Sequence, residues 1–159
     1  MRITLVSSCG LVLEAEGRTL LVDALNKQFR CYYGLPPETF AQMLAGEPPY
    51  DALCGILCTH AHPDHYNALR TRQLQAASGA PVFVPQPQTP PQLALQFGPF
   101  SVEYHQFAHT PVPGWDAITH GVYFISAAGV SVYVTAAARI AAVPHLALLH
   151  IAAPTSPYA

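Results

Sequence analysis

LCGILCTHAHPDH, residues 53–65, runs an apolar segment straight into four ligand-type side chains. Leu53–Cys58 is short and apolar throughout, the pattern of a strand buried on both faces. His60, His62, Asp64 and His65 follow at once, so they lie on the loop at that strand's C-terminal end. His60 and His62 are two residues apart, and at a strand end both side chains can point to one side. Pro63 fixes its own φ and disfavours helix for His62. Asp64 and His65 then sit on the turn into the next element. One short loop thus presents three imidazoles and a carboxylate with little freedom left to lose. Imidazole and carboxylate without thiolate suit zinc, and also iron, manganese or cobalt.

On the N-terminal side, residues 3–6, 11–14 and 19–23 have the composition of strands, with EAEGR as a turn. Residues 38–45 form a short helix stopped by Gly46 and Pro48. On the C-terminal side, Tyr66–Ala77 is a predicted helix with Tyr66, Leu69, Leu74 and Ala77 on one side and Gly79 as its cap. Strands are expected at 82–84 and 100–107, as a hairpin at 121–126 and 130–135, and at 146–151. The proline-rich segment from residue 85 is read as a loop reaching residue 99. Strands and helices alternate early and paired strands dominate later, which is an α/β arrangement with a mixed sheet.

The 159 residues suit one domain, 1–159. Charged residues make up only 10% against the roughly 25% of an ordinary soluble domain. The chain therefore buries much of its surface, and a homo-oligomer is expected. A net charge of −2 leaves no basic field to hold nucleic acid or an anionic membrane. Ala117–Ala138 carries no Asp, Glu, Lys or Arg, but it contains His120, Gly121 and Gly129 and breaks at SAAG. It is a buried hairpin rather than a membrane span. MRITLVSSCG has no long apolar core of a signal peptide, so a cytoplasmic location is expected. Cys9, Cys31, Cys54 and Cys58 fit no zinc-knuckle spacing and are expected to be buried, reduced thiols, with Cys58 near enough to the histidines to matter.

HAHPDH in this setting resembles the His-x-His-x-Asp-His signature of the metallo-β-lactamase fold superfamily. LLVD at 20–23 is similar to the family's strand ending in an aspartate, and FAHTP at 107–111 to the segment supplying a further histidine. GVYFISAAGVSVYVTAAAR is similar to the paired strands that lead to a Gly-Asp pair. The resemblance implies an αββα sandwich with mixed sheets and one or two metal ions at the sheet edges. It implies His60, His62 and His109 as the first metal site, with Asp64 and His65 contributing to a second. His105 competes with His109 but lies inside a strand.

The chain departs from the pattern in two places. Ala136 and Ala137 stand where the Gly-Asp pair is expected, Ala137 in place of its bridging aspartate, and no aspartate follows Asp116. The sequence stops at Ala159, which is expected to shorten the fold at its C-terminus and leaves His150 or His145 as a stand-in for the last histidine. His120 is a further spare. One tightly held zinc is therefore expected, or iron or manganese in its place, with a second ion weak or absent. Two functions follow from the resemblance. One is a metal-dependent hydrolase acting through a metal-bound water on a small ester, amide, lactone or phosphoester, with Asp64 as the general base. The other is a degenerate metal- or ligand-binding member without turnover. Tyr32, Tyr33, Phe97 and Trp115, on the predicted loops, point to a partly apolar small molecule as the substrate.

Overall fold

The structure, a computed structural model, describes residues 1–109 and 118–136. Five strands form the first sheet in the order β1 (Arg2–Leu5), β2 (Leu11–Ala15), β3 (Arg18–Val22), β4 (Leu53–Leu57) and β5 (Val82–Phe83). The first three are antiparallel, and β3, β4 and β5 run parallel. The second sheet is antiparallel among the described residues: β6 (Gln92–Phe97), β7 (Phe100–Phe107), β8 (His120–Ala127) and β9 (Val130–Val134). Two helices connect the parallel strands, α1 (Pro37–Ala45) and α2 (Ala68–Ser78). The fold is the expected α/β sandwich of two sheets with few helices.

Local chemistry explains the boundaries. Glu16 and Gly17 both take positive φ, which closes the β2–β3 hairpin with the twist its strands require. Pro37 opens α1, where a missing N–H costs nothing, and Gly46 ends it in the left-handed region. Asn67 caps α2 by accepting a hydrogen bond from the Arg70 N–H at 3.0 Å. That cap starts the helix two residues later than its pattern predicts and leaves Tyr66 in the preceding turn. The helix buries Thr71 and Leu74, while Leu69 is 52% exposed. Segment 85–99 is not all loop, because Gln92–Phe97 alternates exposed and covered positions as β6. The prolines and glutamines before it hid that alternation.

Two cores result. Leu11, Leu13, Leu20, Val22 and Leu57 face Phe100, Val102, Tyr104, Tyr123 and Ile125 between the sheets. Val12, Leu21 and Ile56 point the other way, onto Met43 of α1 and Leu74 of α2. Adjacent positions of β3 thus bury alternate faces, and each aliphatic side chain so covered contributes about 2 kcal/mol. Phe97 belongs to the inter-sheet core rather than to a pocket wall. No helix among the described residues is long and apolar enough to cross a membrane. The predicted strand at 146–151, and with it Trp115, Ala137, His145 and His150, lies outside the described residues.

The parallel pairing of β3 with β4 decides where chemistry can occur. It brings the C-terminal ends of both strands, Asp23 and Thr59, to one edge of the sheet. Side chains that leave parallel strands at this edge meet in a crevice outside the sheet. The second sheet is fastened to the same edge. The Gly121 N–H donates to the Thr59 carbonyl at 2.7 Å, and the Tyr123 hydroxyl donates to the Cys58 carbonyl. A Cβ on Gly121 would stand 2.5 Å from the Tyr104 ring, so only glycine permits that approach.

Candidate metal centre

Asp23 organises the edge. It is buried, with φ of 52°, a left-handed conformation that aspartate tolerates better than most residues. One carboxylate oxygen accepts the Thr59 N–H at 2.8 Å. The other accepts the Thr59 hydroxyl at 2.7 Å and faces His65 Nδ1 at 2.8 Å. With its own proton given to Asp23, the Thr59 oxygen can only accept from His60 Nδ1, 3.0 Å away. His60 is therefore left with a bare lone pair on Nε2, which lies 2.9 Å from His62 Nδ1.

Around this frame the rings crowd together. The His60 ring centroid is 4.5 Å from His62, 4.3 Å from His65, 4.9 Å from His109 and 4.8 Å from His120. Burial drives the His60 imidazole well below its usual pKa, and the neighbouring imidazoles push it further. Burial and the nearby His109 lower His62 to about 4, and burial with the same neighbour lowers His120 to about 3. His65 goes the other way: burial alone would lower it, but the charge and hydrogen bond of Asp23 hold it well above the usual range.

Two donor groups emerge. In one, the ligand atoms of His60, His62 and His109 all lie within 4.8 Å of one another. In the other, Cys9, Asp64 and His65 do the same, and all three are buried. His65 Nε2 stands 3.5 Å from the Asp64 carboxylate, on the side away from Asp23. These residues fit a divalent metal on two grounds. Neutral imidazoles in a dry cluster each keep one ring nitrogen with a free lone pair that can bind a metal. In addition, neither ring nitrogen of the fully buried His120 has a hydrogen-bond partner among the described residues, which is costly in a purely structural cluster.

The structure brings His60, His62, Asp64, His65 and His109 to this one edge. His105 stands apart on β7, 3.8 Å from Glu103 and edge-on to Phe124. His120 opens β8 against His60 and His109. The thiol that reaches the cluster is Cys9, not Cys58, whose Sγ points to the His65 carbonyl at 3.9 Å. Cys31 is exposed rather than buried. The roles of Thr59, Asp23 and Cys9 escape a reading by spacing. Only Asp23 carried a signal, as a lone charge ending an apolar strand. Beside His109 opens a shallow cleft of about 550 Å³, walled by Pro91, Gln106, Phe107, Ile118 and Thr119.

Comparison with known proteins follows the same line. Residues 18–148 match the family described as a beta-lactamase superfamily domain. The diiron β-hydroxylase CmlA of Streptomyces venezuelae is similar with a TM-score of 0.57 at 18% identity, over 84% of this chain and 28% of that one. A metallo-β-lactamase of Cronobacter sakazakii with a HARLDQ motif gives 0.52 at 15% identity, over 87% and 60%. A possible metal-dependent hydrolase of Veillonella parvula gives 0.50 at 14% identity, over 84% and 63%. At such identities the likeness is one of fold, and this chain spans less than two thirds of the length of each of these proteins. No curated protein matches.

Proposed function

The chain belongs to the beta-lactamase superfamily, and on that premise we propose that it is a metal-dependent hydrolase with the ion held by His60, His62 and His109. The observation that carries this reading is the convergence of those three imidazoles from two separate segments at one sheet edge. When bound, such an ion polarises a substrate oxygen and makes water a stronger acid.

The chain's own part is to position and to move a proton. Thr59 fixes the tautomer of His60, and Asp23 fixes Thr59, so the donor atoms are aimed before anything binds. Asp64 and His65 lie beside them and orient the attacking water, with Asp64 accepting its proton. The substrate enters along the cleft beside His109, where Pro91, Phe107 and Ile118 offer apolar surface. That lining favours a small, partly apolar ester, amide, lactone or phosphoester over a highly charged molecule. Zinc suits the donor set, and iron is the rival, since CmlA is a diiron enzyme.

The test is metal content per chain together with hydrolysis of a panel of such substrates. Bound metal after purification without chelator, with hydrolysis lost in His62→Ala, is the expected result. A chain that takes up no metal overturns the proposal.

A further inference from the structure

We propose that Cys9, Asp64 and His65 form a second metal site, in which a thiolate supplies a ligand that alanine at position 137 cannot. The inference rests on the hydrolase reading above and adds to it an ion of different chemistry. The three ligand atoms lie within 4.8 Å of one another and come from three buried residues. Ligands of one tetrahedral ion, bonded at about 2.0–2.3 Å, stand roughly 3.3–3.8 Å apart, so little movement is needed.

Two of the three donors are held by contacts outside the site. His65 is tied through Nδ1 to Asp23, which leaves Nε2 facing Asp64. A carboxylate behind an imidazole is the usual way a histidine ligand is aimed. Cys9 sits in a turn pinned on both flanks. The Gly10 N–H donates to the Ser7 hydroxyl at 2.9 Å, and the Val6 N–H donates to the Gly10 carbonyl at 2.9 Å. On the other side, the Tyr33 N–H donates to the Ser8 hydroxyl at 2.6 Å, and the Ser8 N–H donates to the Tyr33 carbonyl at 3.0 Å. Gly10 itself lies so close to the backbone of Ala24 that a Cβ there would come within 2.8 Å of its Cα. The turn is thereby pressed against the same strand end that carries Asp23.

The donor set selects the ion. One sulfur, one oxygen and one nitrogen favour zinc, iron(II) or cobalt(II) over magnesium or calcium. Asp64 can ligate through one oxygen and keep the other for the water it orients. The two sites would thus differ: three nitrogens in one, a thiolate in the other.

Cobalt(II) is the probe. The full chain is stripped of metal and titrated with cobalt while the near-ultraviolet thiolate-to-cobalt charge-transfer band is followed. Two equivalents are expected to bind, with the band present in the unaltered chain and in Cys58→Ala. Cys9→Ser is expected to remove the band and lower the uptake from two to one. X-ray absorption on the unaltered chain, which needs no variant, should show sulfur at about 2.3 Å from cobalt. Binding of cobalt without the band or the sulfur overturns this proposal and leaves the three-histidine site standing. A band that survives Cys9→Ser overturns it as well. Failure to bind any cobalt overturns the hydrolase reading with it.

Discussion

His60, His62 and His109 offer three nitrogens, whereas Cys9, Asp64 and His65 offer one sulfur, one oxygen and one nitrogen. The two clusters share a wall, since Thr59 touches His60 and Asp23 touches both Thr59 and His65. They differ in how the chain builds them. Two donors of the first come from one stiff loop, so little conformational entropy remains to be lost there. The second needs the turn at Ser7–Gly10 pressed against the end of β3, and the loop after β4 brought beside it by parallel pairing. It therefore depends on the whole first sheet, whereas the first cluster needs one loop and a single histidine delivered from beyond the end of β7.

Emptying one cluster without the other is the strongest test of that contrast. His62→Ala is expected to lower hydrolysis by about 10³-fold or more, since loss of several kcal/mol of stabilisation costs tenfold per 1.36 kcal/mol. Cobalt uptake should fall by one equivalent while the thiolate band persists. Loss of the band in this variant would show that the two sites fold as one unit.

Acid comes next in size. In the metal-free chain His62 is held at about 4 and His120 at about 3, both below the ordinary 6.5. A depressed imidazole costs nothing above pH 6.5, where folded and unfolded chains both hold it neutral. As pH falls from 6.5 toward 4, the unfolded chain takes up a proton that the folded one refuses, and stability drops. The His62 shift corresponds to about 3 kcal/mol. His65 is raised, so its contribution is fully present below pH 6.5 and is lost only as pH climbs through its elevated value. It cannot offset the acid loss. Urea midpoints of the metal-free protein at pH 7 and pH 4.5 check this, and an unchanged or higher midpoint in acid contradicts it.

Much of this contrast was legible in the sequence, for physical reasons. Contiguity made the first cluster visible: ligand spacing on a strand end depends only on local geometry. His109 was distinguishable from His105 because His105 lies inside a strand, whereas His109 falls on the segment that leads into the loop. The share of Cys9 was not legible, because it depends on the β1–β2 register and on the packing of Gly10, neither of which spacing encodes. His120 likewise joins the cluster only because Gly121 bonds to Thr59. In the fold, β2, β3, β4 and β7 were readable from apolar runs and alternation. β6 was not, because proline and glutamine at its entry mimic a loop. Leu69 misled because α2 carries too few apolar residues for its pattern to fix which side is buried.

Asp23→Asn probes the wall the clusters share. The amide keeps the shape but loses the charge and one acceptor, so Thr59 and His65 are no longer both aimed. Loss of such an outer carboxylate costs about 10–100-fold in metal affinity. The effect should appear in both sites at once when chelator competition is followed by total cobalt and by the thiolate band. A loss confined to the thiolate band would mean that Thr59 holds His60 without help from Asp23.

The smallest effect is expected four residues before His109. His105 lies on β7, which ends two residues before His109, and has the same chemistry, but its side chain is 29% exposed and its polar neighbour is Glu103 at 3.8 Å. An exposed pair of that length contributes between nothing and about 1 kcal/mol. His105→Ala should therefore leave cobalt uptake and hydrolysis within about twofold of the unaltered chain, and change the unfolding free energy measured in urea by less than about 0.5 kcal/mol. His109→Ala, beside it, should remove one equivalent of cobalt. The pair isolates position from residue type, because His105 stays on the outer face of β7 while His109, beyond the strand's end, reaches the edge where His60 and His62 lie. A loss of metal in His105→Ala would mean that β7 slides in register to present the other histidine, and the third ligand of the first cluster would have to be reassigned.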